Sequence, residues 1–156
     1  MSIIRIPSLL HCQTIKDWMI TLQKNPLLWT KHQPKPIEIA HQNEIIYFAL
    51  QGIAPFFIYC ILFEEKIYLV YGEEYLTVLY RFIIENVPVC HKTWPFPQSF
   101  PTKTGNGTFS DFSKEDQQLI LSVRVISSGC RVQTYKEFET LCRFYHKTDL
   151  LISSPI

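Results

Sequence analysis

Apolar positions recur along this chain at two periods, and each change of period marks an element boundary. Residues 56–63 form a continuous apolar run behind Pro55, and residues 67–71 form a second, β-branched and aromatic. Each has the length of a buried strand. The polar triplet Glu64-Glu65-Lys66 between them predicts a hairpin. Past Gly72 the period becomes helical, because Leu76, Leu79, Tyr80 and Ile83 fall at i, i+3, i+4 and i+7. Strand therefore gives way to helix across one glycine, the residue that tolerates such a turn.

The same periods place the other elements. Ile3, Ile4 and Ile6 begin a short extended segment closed by Pro7. Thr14-Ile15-Lys16-Asp17 predicts a capping box, with Ile15, Trp18, Met19 and Leu22 on one helix face to about Lys24. Asn25-Pro26 ends that helix, and residues 30–36, with Lys31, His32 and Lys35, form a loop. A second helix is expected from about His41 to Gln51, with Ile45, Phe48 and Ala49 inward and Gly52 as its stop. Val87 to Cys90 predicts a short strand, and residues 94–108, holding Pro95, Pro97, Pro101, Gly105 and Gly107, a long irregular loop suited to partner contacts. Ser113 caps a helix of about two turns to Leu121. Val123, Val125 and Val132 alternate as in a strand that Ser127-Ser128-Gly129 interrupts. Thr134-Tyr135-Lys136-Glu137 opens a last helix with Phe138, Leu141, Cys142 and Tyr145 on one side, and residues 150–156 carry no clear signal. The fold class predicted is α/β in the mixed α+β sense, a small sheet flanked by helices in one domain over residues 1–156.

Composition narrows the function. At 156 residues with 47% hydrophobic and 14% aromatic residues, the chain can bury a real core. Lys plus Arg number 15 against 14 Asp plus Glu, so a polyanionic partner would have to be met by a local patch. The five cysteines are scattered, odd in number and without a C-x-x-C pair. With no apolar stretch behind Arg5, they suggest a reducing, cytoplasmic setting and five free thiols. Asn106-Gly107-Thr108 is then expected to be a turn. The apolar run 53–63 is too short to span a bilayer, so no membrane contact is expected.

Chemistry-bearing patterns are few. Cys142 and His146 stand at i, i+4 without the two further donors a zinc site needs, and His11-Cys12 and Cys90-His91 are adjacent pairs that diverge on a strand. No phosphate loop, dinucleotide fingerprint, nucleophile elbow or metalloprotease motif occurs, and no cofactor or metal is expected. What remains is the turn at Gly72, where Glu73 and Glu74 fall in the first helical turn, favoured there by its exposed N–H groups.

Around that turn the chain resembles a known family. Residues 72–82 read G-[EQ]-[EQ]-x-L-T-x-L-x-x-F behind an apolar strand and are followed by I-x-E-N at residues 83–86, similar to the D-G-Q-Q-R-L-T-T-L region of the GmrSD-type restriction family. That family's N-terminal domain belongs to the ParB/sulfiredoxin-like superfamily. Gln33-Pro34-Lys35-Pro36 stands where the family has F-Q-R-P, residues 42–52 resemble its helix ending S-I-L-x-G, and residues 53–59 its Y-P-I-P-P-I-Y strand. Phe109-Ser110-Asp111-Phe112 resembles its F-S-D-L, so the likeness runs over roughly residues 27–146. It implies a retained ParB-like fold and a degenerate, lost or altered nucleotide or phosphate pocket at Lys35, Tyr71, Gly72, Glu73, Glu74, Tyr75 and Arg81. The chain departs from the motif at those positions. Tyr71 replaces the Asp, Glu73 and Glu74 the two Gln, Tyr75 the Arg, and Pro34-Lys35 the upstream Gln-Arg pair. Tyrosine is a poor hard-metal ligand and lacks the bidentate fork of arginine.

Three functions are compatible with this pattern. The first is a catalytically inactive ParB-like binding or regulatory module for nucleic acid, a nucleotide or a protein partner. The second is a structural or homo-oligomeric protein whose aromatic surface is an interface. The third is a divalent-metal NTPase or nuclease using Glu73 and Glu74, with Lys35 or Arg81 on the phosphate. Adjacent helical glutamates point about 100° apart, which disfavours the third.

Overall fold

The computed structural model describes residues 4–5, 13–24, 38–102 and 106–153. The first strand β1 (Ile4–Arg5) precedes helix α1 (Ile15–Lys24). The expected capping box is formed: the Asp17 N–H donates to Thr14 Oγ1 at 3.2 Å, and the Thr14 N–H donates to Asp17 Oδ2 at 3.1 Å. Helix α2 (Ile39–Leu50) ends at Gly52, which takes the left-handed conformation at φ +79°. Strands β2 (Phe57–Phe63) and β3 (Lys66–Tyr71) form the predicted hairpin. Its two-residue turn holds Glu64 at φ +51° and Glu65 at φ +62°, a left-handed pair that turns of this length require.

Helix α3 (Glu73–Ile83), strand β4 (Val89–Cys90) and strand β5 (Asn106–Gly107) follow, then α4 (Lys114–Ser122), β6 (Ile126–Arg131) and α5 (Tyr135–Ser153). Ser113 Oγ accepts the Asp116 N–H at 3.1 Å and so caps α4. At α5 the Glu137 N–H donates to Thr134 Oγ1, while the Glu137 carboxylate accepts the Gln133 N–H, both at 3.2 Å.

The sheet runs β1-β6-β2-β3, with β6 antiparallel to β1 and parallel to β2. Its two faces carry separate cores. Helices α1, α2, α3 and α4 cover one face around Trp18, Ile58, Leu76 and Phe82, and α5 covers the other around Ile61, Val70, Cys130 and Phe138. The class is mixed α+β. No helix among the described residues is long and apolar enough to cross a membrane.

Several expectations are corrected. The Ser127-Ser128-Gly129 stretch does not interrupt a strand but is the middle of β6, an interior strand of the sheet. These small residues stand opposite Ile58, Tyr59 and Cys60 of β2, which carry the bulk. Val123 and Val125 belong instead to a short pairing with the start of α1, through Ile15 N–H to the Val123 carbonyl and Val125 N–H to the Gln13 carbonyl, both 2.9 Å. The segment after β4 is less irregular than expected. It holds 3₁₀ turns at His91–Thr93, Pro97–Ser99 and Phe109–Asp111, and Asn106-Gly107 pairs with β4 rather than turning. Trp94 is core, 4% exposed, with its indole N–H donating to Ser99 Oγ. Helix α5 reaches Ser153, past the last periodic residue in the sequence. On α2, Asn43 and Ile46 are buried beside Ile45 and Ala49, while Phe48 is half-buried.

Candidate functional site

The turn at residues 71–75 is built by two backbone irregularities. Cys60 pairs with Leu69 but Tyr59 pairs with Tyr71, so β3 carries one extra residue there, a β-bulge. Val70 and Tyr71 are thereby both placed on the α5 side, Val70 in its core and Tyr71 against Phe57. Gly72 follows at φ +84°, and a Cβ on it would sit 2.4 Å from the Phe57 carbonyl oxygen and 2.7 Å from Ile58 Cδ1. The chain thus passes against β2 at a distance only glycine allows, and α3 starts at once.

The side chains around this turn are packed rather than displayed. Tyr71 stacks on Phe57, with ring centroids 4.4 Å apart and planes 13° apart. Tyr75 stacks on Phe56 at 4.9 Å and 4°, and meets His41 edge-on at 6.1 Å. Glu73 is buried, 6% exposed, in the first turn of α3, and its backbone carbonyl accepts the Thr77 hydroxyl at 2.8 Å. Glu74 is half-buried. Aromatic faces therefore stand where the family resemblance implies an Asp and an Arg.

Of the expected pocket residues, the fold brings together Tyr71, Gly72, Glu73, Glu74 and Tyr75. Arg81 lies eight residues beyond Glu73, roughly 12 Å along α3, and its Nε is 3.7 Å from Glu85 Oε2. Lys35 lies outside the described residues, as do the residues 30–36 around it. Among the described residues no cluster of three His, Cys, Asp or Glu side chains could hold a metal ion. Of the described cysteines, Cys60 and Cys130 are buried free thiols. Burial first, then the neighbouring Cys130, pushes the Cys60 thiol far up, so it is unsuited to act as a nucleophile. Cys130 is also raised by burial, while the Tyr59 hydroxyl, donating to its Sγ at 3.3 Å, opposes the shift.

Arg81 belongs to a different feature. A groove of about 440 Å³ runs between α2, α3 and the start of β4. Ile46, Val78, Phe82 and Val89 form its buried apolar floor, and Ile39, 66% exposed, stands on its wall. Gln42, Asn43 and Arg81 are its polar lining. Asn43 is 3% exposed, and its amide nitrogen donates to Thr93 Oγ1.

Sequence reasoning missed this groove, although a signal was present. Ile39, Asn43 and Ile46 fall at i, i+4 and i+7, so Asn43 interrupts an apolar helical stripe. A lone amide in such a stripe must find a partner or face a cleft. Comparison with protein-family models, with curated proteins and with solved structures found no match for this chain.

Proposed function

We propose that this domain is a catalytically inactive binding module, built on a degenerate form of the ParB-like turn, and that it engages a protein partner through the groove between α2 and α3. The observation that carries this reading is the groove itself, an apolar floor rimmed by a few polar groups, as small recognition sites are built. Two features weigh against phosphate chemistry at the turn. Stacked tyrosines occupy the positions that would hold charge, and two carboxylates stand where phosphate oxygens would need cations. A nucleic-acid partner is disfavoured by charge. Lys and Arg number 15 against 14 Asp and Glu, so no overall positive field draws a polyanion.

Turnover assays test the inactive half of this reading. Purified protein is expected to hydrolyse neither nucleoside triphosphates nor DNA with magnesium or manganese; metal-dependent hydrolysis lost in Glu73→Gln or Glu74→Gln would overturn it. A photo-crosslinking residue at Ile39 is expected to capture a partner protein in cells of the native source, and the same residue at Glu115 on α4 is not. Equal labelling at both positions would remove the groove from the proposal.

A homo-oligomeric reading rests on a separate patch. Phe57, 46% exposed, pairs across the sheet with Ile126, 74% exposed, and stacks on Tyr71. Contiguous exposed apolar surface of this kind marks interfaces. Sedimentation of the wild type and of Ile126→Lys tests it, since a self-associating patch gives a larger species that the substitution splits.

A further inference from the structure

The groove between α2 and α3 carries enough chemistry to define what fits it. Resting on the binding-module reading above, we infer that it takes an extended peptide segment of a protein partner, in which an apolar side chain seats on the floor and a neighbouring carboxylate meets Arg81.

Three observations lead there. The floor of Ile46, Val78, Phe82 and Val89 is buried and apolar, so it favours a hydrophobic side chain. Arg81 is the one formally charged residue in the lining, and its guanidinium is half-exposed on the rim. Its contact at 3.7 Å with Glu85, which lies just past the end of α3, joins two exposed groups, a pairing of small worth that an incoming carboxylate can replace. A planar fork favours a carboxylate as the replacement.

Asn43 decides the backbone conformation of the occupant. One hydrogen of its amide nitrogen goes to Thr93 Oγ1, and its carbonyl oxygen is left as an acceptor beside the second amide hydrogen. An acceptor at this depth needs an N–H donor. The N–H groups of an α-helix are bonded within the helix, whereas alternate N–H groups of an extended strand point outward and are available. A helical ligand would bury the Asn43 oxygen against hydrocarbon, and an extended one satisfies it. Gln42, one residue earlier on the same helix, supplies a second amide to the rim.

The test is selection of a displayed random twelve-residue peptide library on the intact protein, followed by fluorescence-polarisation titration of the enriched peptides. Enriched sequences are expected to share an acidic residue within two positions of a large apolar one. Ile39→Asp, at an exposed wall position where folding is not at risk, is expected to weaken them at least tenfold, and Arg81→Glu likewise. Glu85→Gln, which releases Arg81, is expected to tighten them severalfold. That gain is a readout that general destabilisation would not produce. Asn43→Ala, checked for folding by circular dichroism, is expected to weaken them about tenfold. Enriched peptides that lose binding in Ile39→Asp but lack an acidic residue and ignore Arg81→Glu would overturn this inference and leave the binding-module reading standing. A library that yields no peptide sensitive to Ile39→Asp would also overturn it, and the Ile39 crosslinking experiment then decides separately whether the groove binds a folded surface instead.

Discussion

Replacing Gly72 by alanine should separate two costs that usually arrive together. Gly52 and Gly72 share nearly the same backbone conformation, at φ +79° and φ +84°, so an alanine at either meets a similar left-handed penalty of about 1 kcal/mol. Around Gly52 a new Cβ meets nothing within 4 Å. At Gly72 the same atom would stand 2.4 Å from the Phe57 carbonyl oxygen and 2.7 Å from Ile58 Cδ1. The Ile58 methyl could turn aside, but the carbonyl belongs to β2, which is held between β6 and β3 and cannot retreat. Overpacking of this kind adds roughly 2–3 kcal/mol, so Gly72→Ala should cost about 3–4 kcal/mol where Gly52→Ala costs about 1 kcal/mol. Against a typical total of about 5–15 kcal/mol the loss is severe. For a chain of this size it corresponds to a fall of roughly 10–15 °C in Tm, against about 3 °C for Gly52→Ala. Urea titrations of both variants, followed by tryptophan fluorescence and circular dichroism, give the two numbers. Equal midpoints for the two variants would refute the close approach of the turn to β2.

Three further outcomes are expected. Glu65→Gly should stabilise the protein by about 1 kcal/mol, because Glu65 holds φ +62° in the β2–β3 turn at a cost glycine does not bear, and a denaturation midpoint that fails to rise would place the strain elsewhere. Ser127→Ala should be neutral or stabilising by up to about 1 kcal/mol, since the buried Ser127 hydroxyl has no hydrogen-bond partner among the described residues; a loss above about 1 kcal/mol in the same titration would show that it has one. The Thr108 backbone N–H, and then the Thr108 hydroxyl, hold the Asp111 carboxyl below its ordinary value of 3.8, so its contribution to stability is present above that pH and fades as the pH falls through the lowered value. Asp111→Asn should therefore flatten the acid limb of a stability–pH curve below about pH 4, and an unchanged limb would contradict the cap.

Local signals carried the reading of this chain a long way. The hairpin, the glycine turn and the caps at Thr14, Ser113 and Thr134 are all written in short stretches whose chemistry acts on nearby backbone. Leu76 and Leu79 are fully buried as their spacing requires, while Val78 and Phe82, rather than Tyr80 and Ile83, complete the covered face, because α3 is packed from two sides. What could not be read depends on partners distant in sequence. An interior strand of Ser, Gly and Cys becomes legible only when the bulky strand beside it is known. The candidate site divides along the same line. Tyr71 to Tyr75 are neighbours in the chain and remain neighbours in space. Whether Arg81 faces them or a groove depends on where α2 docks, and the apolar stripe interrupted by Asn43 was the one trace of that groove.

The strand order has a consequence for how the molecule comes into being. Among the described strands the interior strand β6 is the last in chain order, and it is the element that joins β1 to the β2–β3 hairpin. Until residue 131 has left the ribosome, the β2 edge of the hairpin is open and β1 lacks the strand it pairs with. The helices made in between already have Ile58, Cys60 and Leu69 of the hairpin to pack on, so the unmet surface is the open strand edge. A chain halted before residue 126 would therefore be a substrate for chaperones rather than a smaller version of the domain. Ordering of the β1 segment would be among the latest events, set by sequence some 125 residues downstream.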